Sequence, residues 1–375
     1  MDDAIRRMIG ALSEGRERYG RAAARQAAVF EGTAPDRPPL LLSAGLGAEW
    51  AAIPRYDFIE IHGDSEKMLH NELLSALCAR AGGLDAVPSV RANMGCGIVP
   101  ALFGVKPRLF ADMMPWVKDH LPKGAIRELR AGDLSVEGEF GTAMAHMEFM
   151  ADALAGSGVR VYPVDIQGAF DAAHIVYGDA IFYELYDDPE FVHHLLDLCC
   201  EAIRIAFREC LARMPGSEDS VPHYNALCVP RRLGGIKLSE DTSTLLSGAQ
   251  IGEFVAPYLR RTLAEAGGGY VHYCGKNPYL YEAVLREPLV CGLNFGNPER
   301  HDMDRVLADC AARGIAYYGA IPRRPDEDES TYFRRILAAS RYEGVSRILP
   351  TPHCEAGESE RVRGEWERAC GEGRG

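Results

Sequence analysis

The stretch GGGYVHYCGKNPYL, residues 267–280, decides how the rest of the chain is read. Its apolar run is short, stands between three glycines and a further glycine, and reads as a strand over Tyr270–Cys274. The glycines at 267–269 precede that strand, so they end a helix. A strand has a side-chain period of two, which puts His272 and Cys274 on one face. Two ligands of one metal ion can be presented in this way.

Outward from this segment, short β-rich stretches alternate with longer helical ones from about residue 88 onward, the pattern of parallel βαβ units. The strand candidates are Pro88–Arg91, Val159–Ile166, a segment within Tyr224–Leu238, Gly269–Cys274, Leu289–Phe295, Ile315–Ile321 and Arg347–Pro350. Seven or eight such units fit an α/β fold of the (β/α)8 TIM-barrel type, which takes about 250 residues. An open doubly wound sheet is the alternative. The clearest helix is 188–214, where Asp188 caps, Pro189 suits the first turn, and Val192, Leu195, Cys199, Ile203, Phe207 and Cys210 recur at helical spacing. Cys199 and Cys210 are therefore core residues, and His193 and His194 lie off the apolar stripe.

The N-terminal MDDAIRRMIGALSEGRERYG reads as an amphipathic helix, and EGTAPDRPP at 31–39 as a connection. The division expected is an N-terminal helical extension over 1–84 packed on a barrel over 85–375. Composition sets bounds on partners. With 47% apolar and 25% charged residues the chain can bury a large core, while a net charge of −13 lacks the basic footprint that nucleic acid requires. No apolar run approaches the roughly 18 residues of a membrane span, and no signal-peptide core is present, so a cytoplasmic location is expected. Eleven cysteines, an odd number, read as reduced thiols and not as a disulfide framework.

In a parallel barrel the chemistry sits at the C-terminal ends of the strands. His272 and Cys274 meet that condition, and a catalytic zinc site takes about three protein ligands and leaves one position open. Cys354, in ILPTPHCEAG after the last strand, is the candidate third ligand; His353 and the deeper Cys291 are further ones. Asn294, Asn297 and Glu299 offer an oxygen ligand or a partner that orients a ligand. Asp165 and Gln167 end the second strand, and Glu240 and Asp241 follow the third, so a carboxylate among them is a candidate general acid. Each has a plainer reading: a packed strand-end histidine beside a buried thiol, a helix cap at Asp165, a solvated turn at 240–241. Tyr317 and Tyr318 alternate in facing, so at most one points inward. Asn93, Met94 and Cys96 follow the first strand candidate and could line a pocket.

The segments PVDIQGAFDAAHIVYGD (163–179), LYDDPEFVHHLLDLC (185–199), LGGIKLSEDTSTLLSGAQIGEFVAPYLRR (233–261) and GGGYVHYCG (267–275) together resemble the uroporphyrinogen decarboxylase superfamily over roughly residues 85–355. The resemblance implies a (β/α)8 barrel. True decarboxylases of that family carry an arginine-rich N-terminal PVWxMRQAGR-like segment, and residues 1–100 hold nothing similar. The other branch, the corrinoid-dependent methyltransferases, carries a His-x-Cys…Cys zinc site, which His272, Cys274 and Cys354 resemble. Methionine synthases of the cobalamin-independent kind add a glutamate, whose approximate position is taken by Glu299. The resemblance thus implies Zn2+, a small methylated substrate or thiol, and a corrinoid (cobalamin) supplied by a partner protein, since no DxHxxG signature is present in this chain. The competing readings are a decarboxylase-type lyase acting on a tetrapyrrole and a non-catalytic ligand-binding barrel.

Overall fold

The structure, a computed structural model, describes residues 1–83 and 85–372. Its frame is a run of parallel strands: β1 (Ser43–Ala44), β2 (Ser89–Val90), β3 (Arg160–Val161), β4 (Ile236–Ser239), β5 (Gly269–Tyr273), β6 (Val290–Phe295), β7 (Ala316–Gly319) and β8 (Ile348–Pro350). Strands β4 to β8 pair in chain order as one parallel sheet. Strand β2 pairs with β3, and just beyond β3 the parallel bridge Gln167 to Ser239 leads into β4. At the far end β1 joins the extension of β8, with Ser43 opposite His353 and Ala44 opposite Cys354. Among the described residues no backbone hydrogen bond joins β1 to β2.

Helices fill the intervals and cover the outside. Pro189–Ala212 is capped at Asp188, whose carboxylate accepts the Phe191 N–H, and Val192, Leu195, Cys199, Ile203 and Cys210 along it are fully buried. Gly267, in the left-handed region at φ 82°, ends the helix Ala256–Ala266 before β5, as the glycine run predicts. Helix Asp3–Ser13 buries Ile5, Met8 and Leu12 completely, at about 1.5–3 kcal/mol for each side chain removed from water. No helix among the described residues is long and apolar enough to cross a membrane.

Two features depart from the sequence reading. The strand ladder begins inside 1–84, where only helices are expected: β1 and the helix Ser65–Gly82 form a βα unit there. The boundary residue Leu84 lies outside the described residues. The segment 224–238 holds more than one strand: Leu227–Pro230, which forms an antiparallel hairpin with the preceding Ser220–His223, and then the start of β4. Leu227 and Val229 of that hairpin pack with Val29, Phe30, Tyr270 and Tyr318 in a separate apolar cluster. Helix Glu17–Glu31 fastens it, because the fully buried Gln26 donates to the carbonyls of Asp85 and Ala226 and accepts the Cys228 N–H. This apolar cluster packs beneath the strands, and the cavities lie toward the end where the strands finish.

Candidate metal centre

Strand β5 alternates as expected. Val271 and Tyr273 are fully buried in the main core, while Tyr270 and His272 line a half-open cavity of about 370 Å³. Beyond β5 the chain turns at Gly275, φ 91°, and Cys274 stays on the His272 side. Cys274 Sγ lies 3.7 Å from His272 Nε2, and His272 Nε2 lies 3.8 Å from Asp241 Oδ1. Ligand atoms of these three residues all fall within 4.8 Å of one another. Donors bound to tetrahedral zinc at about 2.0–2.3 Å stand roughly 3.3–3.8 Å apart. The imidazole, thiol and carboxylate therefore fit such an ion in type, and the two edges that meet at His272 fit it in spacing.

The tautomer of His272 follows from a chain of partners. Tyr318 C=O can only accept, so the group facing it at 2.5 Å is the Asn294 Nδ2 amide. That turns Asn294 Oδ1 toward His272 Nδ1, also at 2.5 Å, where it accepts the ring proton. Nε2 is left with its lone pair toward Cys274 and Asp241. Asn294 stands opposite His272 in the β5–β6 register, which is why the two meet. Asp241 is held as firmly: its Oδ1 accepts the Cys274 N–H at 2.5 Å, and its own N–H and that of Thr242 donate to the two oxygens of Asp171, at 2.6 and 2.8 Å.

Burial, and next Lys237, push the His272 imidazolium down, favouring the neutral ring. Burial, and next Asp241, push the Cys274 thiol up to about 11, so without a cation it stays protonated. A bound divalent ion reverses that preference by ionising a thiol that coordinates it.

The other predicted residues are placed as follows. Cys354 is not in the group: it is buried in the main core, and burial, and next Glu358, push its thiol up. His353, one position earlier, is exposed and lines another cavity, its Nδ1 3.0 Å from Ser43 Oγ. Glu299 is exposed, with Oε1 accepting from Asn297 Nδ2 at 3.3 Å, and also stands outside the group. Cys291 packs into the floor cluster. Asn297 Oδ1 accepts the Gly275 N–H and so fixes the turn after Cys274.

Asp165 lies in the cavity wall. Burial raises its carboxyl, but Lys237 at 2.5 Å and Arg91 at 3.8 Å outweigh it, and the net shift is downward. It is an ionised partner of cations, not the protonated general acid expected of this region. Gln167 lines a second cavity, about 590 Å³, in front of His272 together with Trp116, Lys118, His120, Asp171 and Asp241. Glu240 is pushed up to about 7 by burial, but it is 1% exposed, accepts from Ser243 Oγ at 2.6 Å and lines neither cavity. Its side chain fills the space beside Gly168, where an added Cβ would meet Glu240 Oε1 at 1.9 Å. Tyr318 faces the cavity and Tyr317 the outer core, as the alternation requires.

The sequence reading missed Arg91 and Lys237 as cavity cations and Asp241 as a candidate ligand. Lys237 was findable, since it precedes Ser239 by one strand period; Asp241 was not, because its reach comes from the bend after β4.

Among solved structures, the fold is similar to that of a methyltransferase from Methanosarcina mazei, with a TM-score of 0.66 and 14% sequence identity over 94% of this chain and 99% of that one. At that identity the likeness is one of fold. No protein-family model matches the sequence, and no curated protein matches it either.

Proposed function

We propose that the chain is a zinc-dependent methyltransferase, cytoplasmic in location, whose strands close as a (β/α)8 barrel in the manner of the corrinoid-linked branch of the uroporphyrinogen decarboxylase superfamily. It moves a methyl group between a small methylated substrate or thiol and the cobalt of a corrinoid held on a separate protein. The observation that carries this reading is the trio His272, Cys274 and Asp241, gathered within 4.8 Å beside the open end of the strands, with His272 3.7 Å from Cys274 and 3.8 Å from Asp241. The fold of a solved methyltransferase supports it.

In this account His272 Nε2, Cys274 Sγ and Asp241 Oδ1 hold the ion, with Asp241 in the place that the resemblance gave to Cys354. When bound, zinc supplies Lewis acidity, which lowers the pKa of a substrate thiol or polarises a leaving oxygen. Asn294 keeps the His272 ring in the binding tautomer, and Asp171 holds the loop that presents Asp241. In the thiol direction the thiol would give up its proton to solvent, its sulfur would form a bond to the methyl carbon as the carbon–cobalt bond breaks, and the electron pair of that bond would leave with the corrinoid of the partner protein.

The test is a spectrophotometric assay of the zinc-loaded chain with methylcobalamin and a panel of small thiols. Loss of the methylcobalamin absorbance with formation of the methyl thioether, abolished in Cys274→Ala, is the predicted result. Unchanged turnover in Cys274→Ala would contradict the assignment.

A further inference from the structure

Among the described residues the strand ladder is interrupted at one place, between β1 and β2. The helix Ser65–Gly82 lies over that gap. Its C-terminal end closes on β1, for an added Cβ at Gly82 would meet the Leu42 carbonyl oxygen at 2.0 Å. Earlier along the helix the cover is incomplete. Most of its middle is buried, but Glu72 and Ala79 are only half-buried and Ser75 is exposed. These three follow one another at spacings of three and four, so they form one stripe of the helix. That stripe lines a half-open cavity of about 400 Å³, whose other walls include Ser43 of β1 and Ser89 of β2. Arg55 and His353 on its rim are exposed as well, so solvent enters there.

At its inner end this space meets the 370 Å³ cavity, because Arg91, Tyr162, Tyr224, Asn225 and Thr351 belong to both walls. The 370 Å³ cavity in turn shares Asp165, Lys237 and His272 with the 590 Å³ cavity in front. His272 thus stands between a space at the open strand ends and one that runs back to the gap. The threshold of that passage is the tip of the hairpin 220–230, and it is held in place. Asn225 and Ala226 are both left-handed, at φ 55° and 60°, a backbone that such residues keep only where their surroundings enforce it. The enforcing bonds are present: Tyr318 O–H donates to the Tyr224 carbonyl at 2.6 Å, and Gln26 Nε2 and the Val87 N–H donate to the Ala226 carbonyl at 3.0 and 3.3 Å. The Tyr224 side chain, 61% exposed, stands in both walls above this threshold.

We propose that the gap between β1 and β2 is a side entrance, by which a molecule the size of a small thiol passes Ser75 and Tyr224 and reaches His272 from behind. A methyl carrier held on a protein can approach His272 only across the open strand ends, and once seated there it blocks them, so the second reactant needs a route of its own. The proposal rests on the methyltransferase reading for the identity of the two reactants, whereas the entrance rests on the cavities alone.

The experiment is labelling of the metal-free full chain with the small reagent methyl methanethiosulfonate, followed site by site with peptide mass spectrometry. Thiols are placed at two depths, Thr351→Cys where the two spaces meet and Tyr270→Cys inside the 370 Å³ cavity, each with its fold checked by thermal melt. Adding Ala79→Trp, which fills the side opening, should slow both reactions at least tenfold, and adding Lys118→Trp, in the wall of the front cavity, should leave both rates within twofold. Ser75→Trp replaces Ala79→Trp if the latter melts early. No reaction at either thiol, slowing at Thr351→Cys alone, slowing by Lys118→Trp in place of Ala79→Trp, or rates indifferent to both, would overturn the entrance. In turnover, Ala79→Trp should lower kcat/KM for 2-mercaptoethanol at least tenfold and leave that for methylcobalamin unchanged; equal loss for the two would overturn the division of routes. A parent chain with no turnover would refute the methyltransferase reading and leave the labelling to decide the entrance.

Discussion

The side-chain carbonyl of Asn294 accepts the Nδ1 proton of His272 at 2.5 Å, and the other end of the same amide donates to the Tyr318 carbonyl, also at 2.5 Å. One asparagine thus decides which imidazole nitrogen is available to a metal. Removing such an orienting partner costs about 10–100-fold in metal affinity. Asn294→Ala should show that loss in competition with a chromophoric chelator, with little change in overall fold.

The glycine behind that amide makes a second prediction. Gly319 has φ 140°, and a Cβ there would stand 2.4 Å from Asn294 Nδ2. Gly319→Ala therefore strains its own backbone, at about 1–3 kcal/mol, and displaces Asn294. Both the melting temperature and zinc affinity should fall, whereas Gly357→Ala, also at positive φ but with open space around its Cβ, should lower stability alone.

Ligand identity is open to spectroscopy. With Co2+ in place of zinc, the thiolate charge-transfer band should be abolished in Cys274→Ser and unchanged in Cys354→Ser, because only the first thiol belongs to the trio. Asp241→Ala should weaken cobalt binding by at least tenfold. A band lost in Cys354→Ser would restore that cysteine as a ligand.

Acid sensitivity has an identifiable contributor. His223 is fully buried in a neutral form with its pKa lowered to about 3, so below its ordinary value near 6.5 the unfolded chain takes up a proton that the folded chain refuses. Stability that is complete above about pH 6.5 is lost as the pH falls toward 3, at up to about 1.4 kcal/mol per unit. Urea unfolding of His223→Gln between pH 6 and 4 should have a pH slope shallower by about one proton than that of the parent chain.

The sequence made the central strands legible because β5 and β6 are short apolar runs stopped by Gly275 and Gly296, and it put His272 and Cys274 on one face. It hid β1, where only Ser43 and Ala44 pair and the preceding Pro38 and Pro39 read as a connection. Cys354 could not be placed by counting: between β8 and the His353–Cys354 pair stand Thr351 and Pro352, and strand period does not carry across that break. Of the pair, His353 is exposed and lines a cavity while Cys354 is buried. Arg91 was visible as a strand end, but its pairing with Asp165 at 3.8 Å appears only when strands distant in sequence are brought round one cavity.

The most direct test of the account is the zinc content of the purified full chain, measured by mass spectrometry without added metal and compared with His272→Ala. The account predicts about one zinc per chain in the parent protein and almost none in the variant. Absence of zinc from the parent chain even after incubation with the metal, or equal zinc in both proteins, would contradict it.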